Sequence, residues 1–209
     1  MGISLVDKLP YEIDGIKIYP DFRNMLRLEQ IMHNPDLDGP QQTLFALKQL
    51  FSEMPASMDK ALADLTWFYS CGKAEKRRGG KSNTPAPYDF NQDSSYIYSA
   101  FYSVYKISLT TIDFLHWWEF VALFEGLPED VFIRKIMYWR AVDPKNIPKK
   151  QRPFILEMKR TYALEGARKT VPDTLEEKYA LRQQQIDRLY AEAQRKLEER
   201  ESDQCTTEN

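Results

Sequence analysis

The chain has 209 residues, enough for one to one and a half ordinary domains and a sizeable core. Hydrophobic residues make up 43% and aromatics 13%, which excludes a chain that is disordered throughout. A formal charge of −2 gives no global attraction to nucleic acid or an acidic membrane, and two cysteines without a CxxC suggest neither a zinc site nor a disulfide framework.

The opening MGISLVDKLPYEID has no basic stretch followed by an apolar run, so no signal peptide is expected. No apolar window approaches the ~18 residues needed to span a membrane. With so few cysteines, a reducing compartment is the simpler expectation.

PYEIDGIKIYP, residues 10–20, reads as a β-hairpin. Asp14-Gly15 is the preferred pair for a two-residue turn, and Ile13, Ile16 and Ile18 flank it. A helix follows, with Asp21 as N-cap and Phe22, Met25, Leu28 and Met32 at helical spacing, and Asn34-Pro35 stops it. Pro40 suits the first turn of a second helix with Leu44, Leu47 and Leu50–Phe51 on one face. Ser57 caps a third, carrying Ala61, Leu62, Leu65 and Phe68, and Gly72 stands where a C-terminal glycine belongs. Cys71, at the electronegative end of that helix, is expected as a small core residue rather than a thiolate.

Residues 73–87 are rich in Gly, Ser, Pro and charge and read as a linker. Lys73, Lys76, Arg77, Arg78 and Lys81 form a local basic cluster. Without an aromatic it offers no base-stacking platform, and Gly79-Gly80-Lys81 lacks the frame of a phosphate-binding loop.

Beyond the linker, Asp93 or Ser94 caps a helix with Ile97, Ala100–Phe101 and Val104–Tyr105 on one face. Thr110 with Asp113 resembles a capping box opening the next helix, which holds FLHWWEFVALFEGL, residues 114–127. On that helix only Asp113, His116 and Glu119 interrupt the apolar coat. They would lie along one edge, as a core-edge histidine satisfied by a carboxylate rather than a general base or a metal ligand. Pro128 is expected to start a further helix lined by Phe132, Ile136 and Trp139, and Arg152–Tyr162 a short one. From Asp173 to Glu201 the sequence is highly charged, with an interrupted apolar stripe of Leu175, Tyr179, Ile186, Leu189–Tyr190, Ala193 and Leu197. It reads as a long amphipathic helix ahead of a disordered end.

The expected organisation is mainly α: a hairpin plus three-helix module at 1–72, a basic linker at 73–87, a helical core module at 88–172, the charged helix at 173–201 and a tail at 202–209. The expected core comprises Phe101, Trp117, Trp118, Phe120, Phe124, Ile136 and Trp139. The candidate partner contacts are Lys76, Arg77 and Arg78 in the loop, whose first reading is a solvated linker, and Leu175, Tyr179, Ile186, Leu189 and Tyr190 on the last helix, whose stripe fits a partner and its own bundle equally well. No catalytic, cofactor or metal residues are expected.

Several blocks carry a family resemblance. They are Asp89-Phe90, Gln92-Asp93, the run Ile97 to Phe101, Leu115-His116-Trp117-Trp118 with Phe120 and Leu123 to Leu127, Lys135-Ile136-Met137 with Arg140, and Lys159 with Tyr162-Ala163-Leu164. In the first half, Asp21-Phe22-Arg23, Trp67-Phe68-Tyr69 and Cys71-Gly72 match too. With these the chain resembles the gene-product-fifteen family of tailed bacteriophages and prophages over about residues 3–165, and the part after 172 departs from it. Members lie between the tail-tube and tape-measure genes. The resemblance therefore implies a tail assembly chaperone that holds the tape-measure protein soluble in the host cytoplasm and is absent from the virion. The tail-tube protein or a second copy are further partners, with no membrane, no cofactor and no catalytic residue. A structural tail component and a nucleic-acid-binding module acting through residues 73–81 stand as alternatives.

Overall fold

Asp14 and Gly15 both adopt positive φ, 52° and 79°, which a type I′ turn requires. They join β1 (Glu12–Ile13) to β2 (Ile16–Lys17) in an antiparallel hairpin with Ile13 opposite Ile16. So short a hairpin needs support. It has it from Ile18, which is buried and bridges to Phe51, and from the bonds Tyr19 N–H to Leu50 O and Ser52 N–H to Lys17 O.

The computed structural model describes residues 6–73 and 87–165. The chain divides into two compact units, Met1–Tyr162 and Ala163–Asn209, and every helix named below lies in the first. The fold is mainly α, as expected.

Asp21 caps α1 (Phe22–Met32), its carboxylate accepting the Arg23 N–H at 2.9 Å. Asp38 and Gln41 form a capping box on α2 (Gly39–Leu50), and Ser57 caps α3 (Met58–Tyr69). The inward stripes are Phe22, Met25 and Leu28; then Ala46, Leu47 and Leu50; then Ala61, Leu65 and Phe68. Met32, Leu44 and Leu62, expected on those faces, are instead exposed. Each sits at the edge of its stripe, where a helix in contact on one side meets water.

In the second half come α4 (Ser94–Tyr105), α5 (Trp117–Glu125), α6 (Phe132–Ala141) and α7 (Arg152–Thr161), with a 3₁₀ turn at Pro144–Asn146. Two expected helix starts are corrected. Residues 110–115 are not helical, and α5 begins only at Trp117. The stretch is held instead by pairing with the start of α1, through Phe22 N–H to Leu115 O at 3.0 Å and Trp117 N–H to Pro20 O at 2.7 Å. Likewise Pro128, Glu129 and Asp130 lie in a turn ahead of α6. On α6 the buried side chains are Ile133, Ile136 and Arg140, while Trp139 is half-buried and Phe132 exposed. The other expected core residues, Phe101, Trp117, Trp118, Phe120 and Phe124, are all buried.

The expected division into two modules at residues 73–87 does not hold. One hydrophobic cluster runs from Ile18 to Ile133 and takes side chains from both halves. Phe22 stacks on Phe120 at 4.9 Å, and Phe120 on Phe101 at 5.1 Å. Arg23 adds a polar tie, donating to the carbonyls of Leu109 and Ile112. Each half therefore buries part of its apolar face against the other.

Candidate functional site

The paired tryptophans sit on the first turn of α5, and both reach the last turn of α3. Trp117 Nε1 donates to Tyr69 O at 2.9 Å, and Trp118 Nε1 to Phe68 O at 2.8 Å. The last carbonyls of a helix lack partners within it, and Trp117 supplies the N–H donor to Tyr69 O, while Trp118 adds a second bond to Phe68 O, which also accepts the Cys71 N–H at 3.1 Å. Both rings fill the core. Gly72, with φ +67°, fits under them, since a Cβ there would lie 3.1 Å from the Trp118 ring.

His116 is the N-cap of α5 and is completely buried. Its Nδ1 accepts the Trp118 N–H at 3.1 Å, and its Nε2 lies 3.1 Å from Pro10 O. An acceptor role at Nδ1 and a carbonyl at Nε2 together require the neutral ring with its proton on Nε2. Burial lowers its pKa below the ordinary value, and the Pro10 carbonyl and Glu119 oppose that only in part. Glu119 completes a capping box by accepting the His116 N–H at 3.3 Å. The expected edge of Asp113, His116 and Glu119 therefore does not form, because Asp113 precedes the helix. Both ring nitrogens of His116 are occupied by backbone, which leaves neither for a substrate or a metal. Among the described residues no group of three or more His, Cys, Asp or Glu is placed to hold a metal ion. No described helix is long and apolar enough to cross a membrane.

Beside the tryptophans lies an open cleft of about 410 Å³. Its floor and walls include Tyr88, Phe90, Trp117, Phe124, Val121 and Met137, and its rim carries Lys73, Glu125 and Arg134. Trp117, Val121, Phe124 and Glu125 share a face of α5 by helical spacing, and Arg134 and Met137 are one turn apart on α6. Lys73 Nζ pairs with Glu125 at 2.8 and 3.0 Å, so one member of the basic cluster is engaged within the fold. The Arg134 guanidinium has no hydrogen-bond or ionic partner among the described residues. Cys71 also lines the cleft as a free, buried thiol, its pKa pushed up to about 11, chiefly by burial.

A second cleft of about 430 Å³ is lined in part by Glu29, His33, Asp89 and Gln92, with Leu26 and Phe90 beside them. Glu29 accepts a hydrogen bond from the Tyr69 hydroxyl. Burial, reinforced by the charge of Asp89 and opposed by His33, raises its pKa from 4.5 to about 7.

Of the partner-contact residues expected from sequence, Lys76, Arg77, Arg78, Leu175, Tyr179, Ile186, Leu189 and Tyr190 all lie outside the described residues. Arg134 and the acidic Glu29 were not singled out. Arg134 sits one turn before Met137, a pairing visible in sequence, but its lack of an anionic partner among the described residues is a property of the fold.

A family model described as Bacteriophage Gp15 protein matches residues 5–164. No curated protein and no solved structure matches the chain.

Proposed function

We propose a role for this chain from one premise: it belongs to the Bacteriophage Gp15 protein family. The reading is a tail-morphogenesis factor, a binding protein rather than an enzyme. It engages the tape-measure protein in the host cytoplasm, keeps it soluble during assembly and does not stay in the virion. The family match carries the proposal. A surface feature supports it: Met32, Met54 and Met58 are each 42–47% exposed, and Leu62 stands one turn beyond Met58 on α3. Methionine is flexible and polarisable, so exposed methionines suit contacts with a helical client.

The test is co-expression of the chain with the tape-measure gene of the same phage genome, followed by pull-down and measurement of the soluble fraction. The expected result is a complex and a soluble tape-measure protein. If the tape-measure protein neither binds nor gains solubility, the reading is wrong. Mass spectrometry of purified virions decides the remaining point, since stoichiometric presence there would make the chain a structural tail component.

A further inference from the structure

The cleft between α5 and α6 has an unusual charge balance for an apolar groove. Its walls are aromatic and aliphatic. At its rim Lys73 and Glu125 neutralise one another at 2.8 Å, leaving Arg134 as a cation with no counter-ion among the described residues. Arg134 and Met137 project from α6 one turn apart, beside Val121 on α5. A complementary ligand therefore has two parts: an apolar group for the walls, and an anion about one helical turn from it.

We propose that this cleft is the docking seat for a client helix carrying an apolar side chain with a carboxylate one turn away. The inference rests on the functional reading above and locates its contact. The apolar side chain enters among Val121, Phe124 and Met137. The carboxylate pairs with the Arg134 guanidinium, whose fork geometry matches it in two parallel bonds. A volume of about 410 Å³ lies within the roughly 300–1,000 Å³ of clefts that hold ligand groups. It suits one or two side chains rather than a whole segment, so the client backbone would run across the rim. A basic client would be rejected, because Arg134 would meet a like charge as it was desolvated.

The experiment uses the full-length chain and the co-expressed tape-measure protein as probe. A photo-crosslinking benzoylphenylalanine replaces Val121 in one variant and Tyr102, exposed on α4 outside the cleft, in another. The expected result is a crosslink from position 121 and none from 102. In parallel, Arg134→Glu should weaken binding by about tenfold or more while Arg134→Lys retains most of it. Melting curves accompany each variant, and the crosslink decides the matter should Arg134→Glu fail to fold. If the wild-type chain binds the tape-measure protein but position 121 gives no crosslink and Arg134→Glu binds normally, the seat is elsewhere and the functional reading stands. If the wild-type chain does not bind at all, both fall together.

Discussion

Arg140 grips Asp93 through two parallel bonds, Nη1 to Oδ2 at 2.5 Å and Nη2 to Oδ1 at 2.9 Å, with both side chains buried. The pair joins α6 to the start of α4. Arg140 Nε also donates to Tyr162 O at 2.6 Å, just past the end of α7, and Asp93 Oδ2 accepts the Asp89 N–H at 2.9 Å. Three helices thus meet at one guanidinium.

Removing one partner leaves the other charge buried and unanswered. Arg140→Met should destabilise the fold by about 3–5 kcal/mol, read as a lower urea midpoint followed by circular dichroism. The double variant Asp93→Leu/Arg140→Met should recover part of that loss, because no uncompensated charge remains. It cannot recover all of it, since the Asp89 N–H and the Tyr162 carbonyl lose their partners. If Arg140→Met unfolds at the parent's urea midpoint, the pair is not holding these helices.

The tryptophans offer a graded test. Trp117→Ala and Trp118→Ala should each cost about 3–5 kcal/mol through lost packing. Trp117→Phe keeps most of the ring but takes the N–H donor from Tyr69 O, so about 1–3 kcal/mol is expected. Trp118→Phe should cost less, because Phe68 O keeps the Cys71 N–H bond at 3.1 Å. Urea melts on the four variants separate the two contributions. Phenylalanine variants as stable as the parent would show that the indole N–H bonds contribute nothing measurable.

Much of this was legible in sequence. The Asp14-Gly15 turn, the caps at Asp21 and Ser57, and the buried residues Phe22, Met25 and Leu28 of α1, Leu47 and Leu50 of α2, and Ala61, Leu65 and Phe68 of α3 follow from local rules, and the structure has them. What was not legible depends on partners distant in the chain. Thr110 and Asp113 satisfy a local capping pattern, yet residues 20–22 claim the backbone of 115–117 and delay the helix to Trp117. The composition of residues 73–87 suggested a boundary, but composition there says nothing about whether Phe22 will stack on Phe120. Asp93 looked like a cap by position. It occupies that position without a capping bond, because Arg140, 47 residues away, takes its carboxylate.

Glu29 should leave a signature in the pH dependence of stability. Its folded pKa stands near 7 against an ordinary 4.5, so the folded chain holds a proton that the unfolded chain has released between those values. Its contribution is fully present below pH 4.5, declines as pH rises through 7, and stays lost above. Glu29→Gln remains neutral at every pH and can still accept the Tyr69 hydroxyl. The variant should therefore be more stable than the parent at pH 8 and nearly equal to it at pH 4.5. Parallel stability curves for the two proteins across that range would refute the assignment.

His116 works in the opposite direction. Its folded pKa is depressed by burial, so the unfolded chain takes up a proton below pH 6.5 that the folded chain resists. Its contribution is present above 6.5 and lost as pH falls. Protonation would also place a hydrogen on Nδ1, where the Trp118 N–H already points, and so would undo the cap of α5. In the parent this acid sensitivity is partly masked by Glu29, which gains in the same range. The cleaner background is Glu29→Gln, where stability should fall on acidification from pH 7 to pH 5. Adding His116→Asn supplies a non-titrating N-cap that still accepts a backbone N–H but cannot reach Pro10. The double variant should be less stable than Glu29→Gln at pH 7, and its stability should change less between pH 7 and pH 5. An acid slope that survives His116→Asn unchanged would mean that another group titrates there, and that the buried histidine is only a cap.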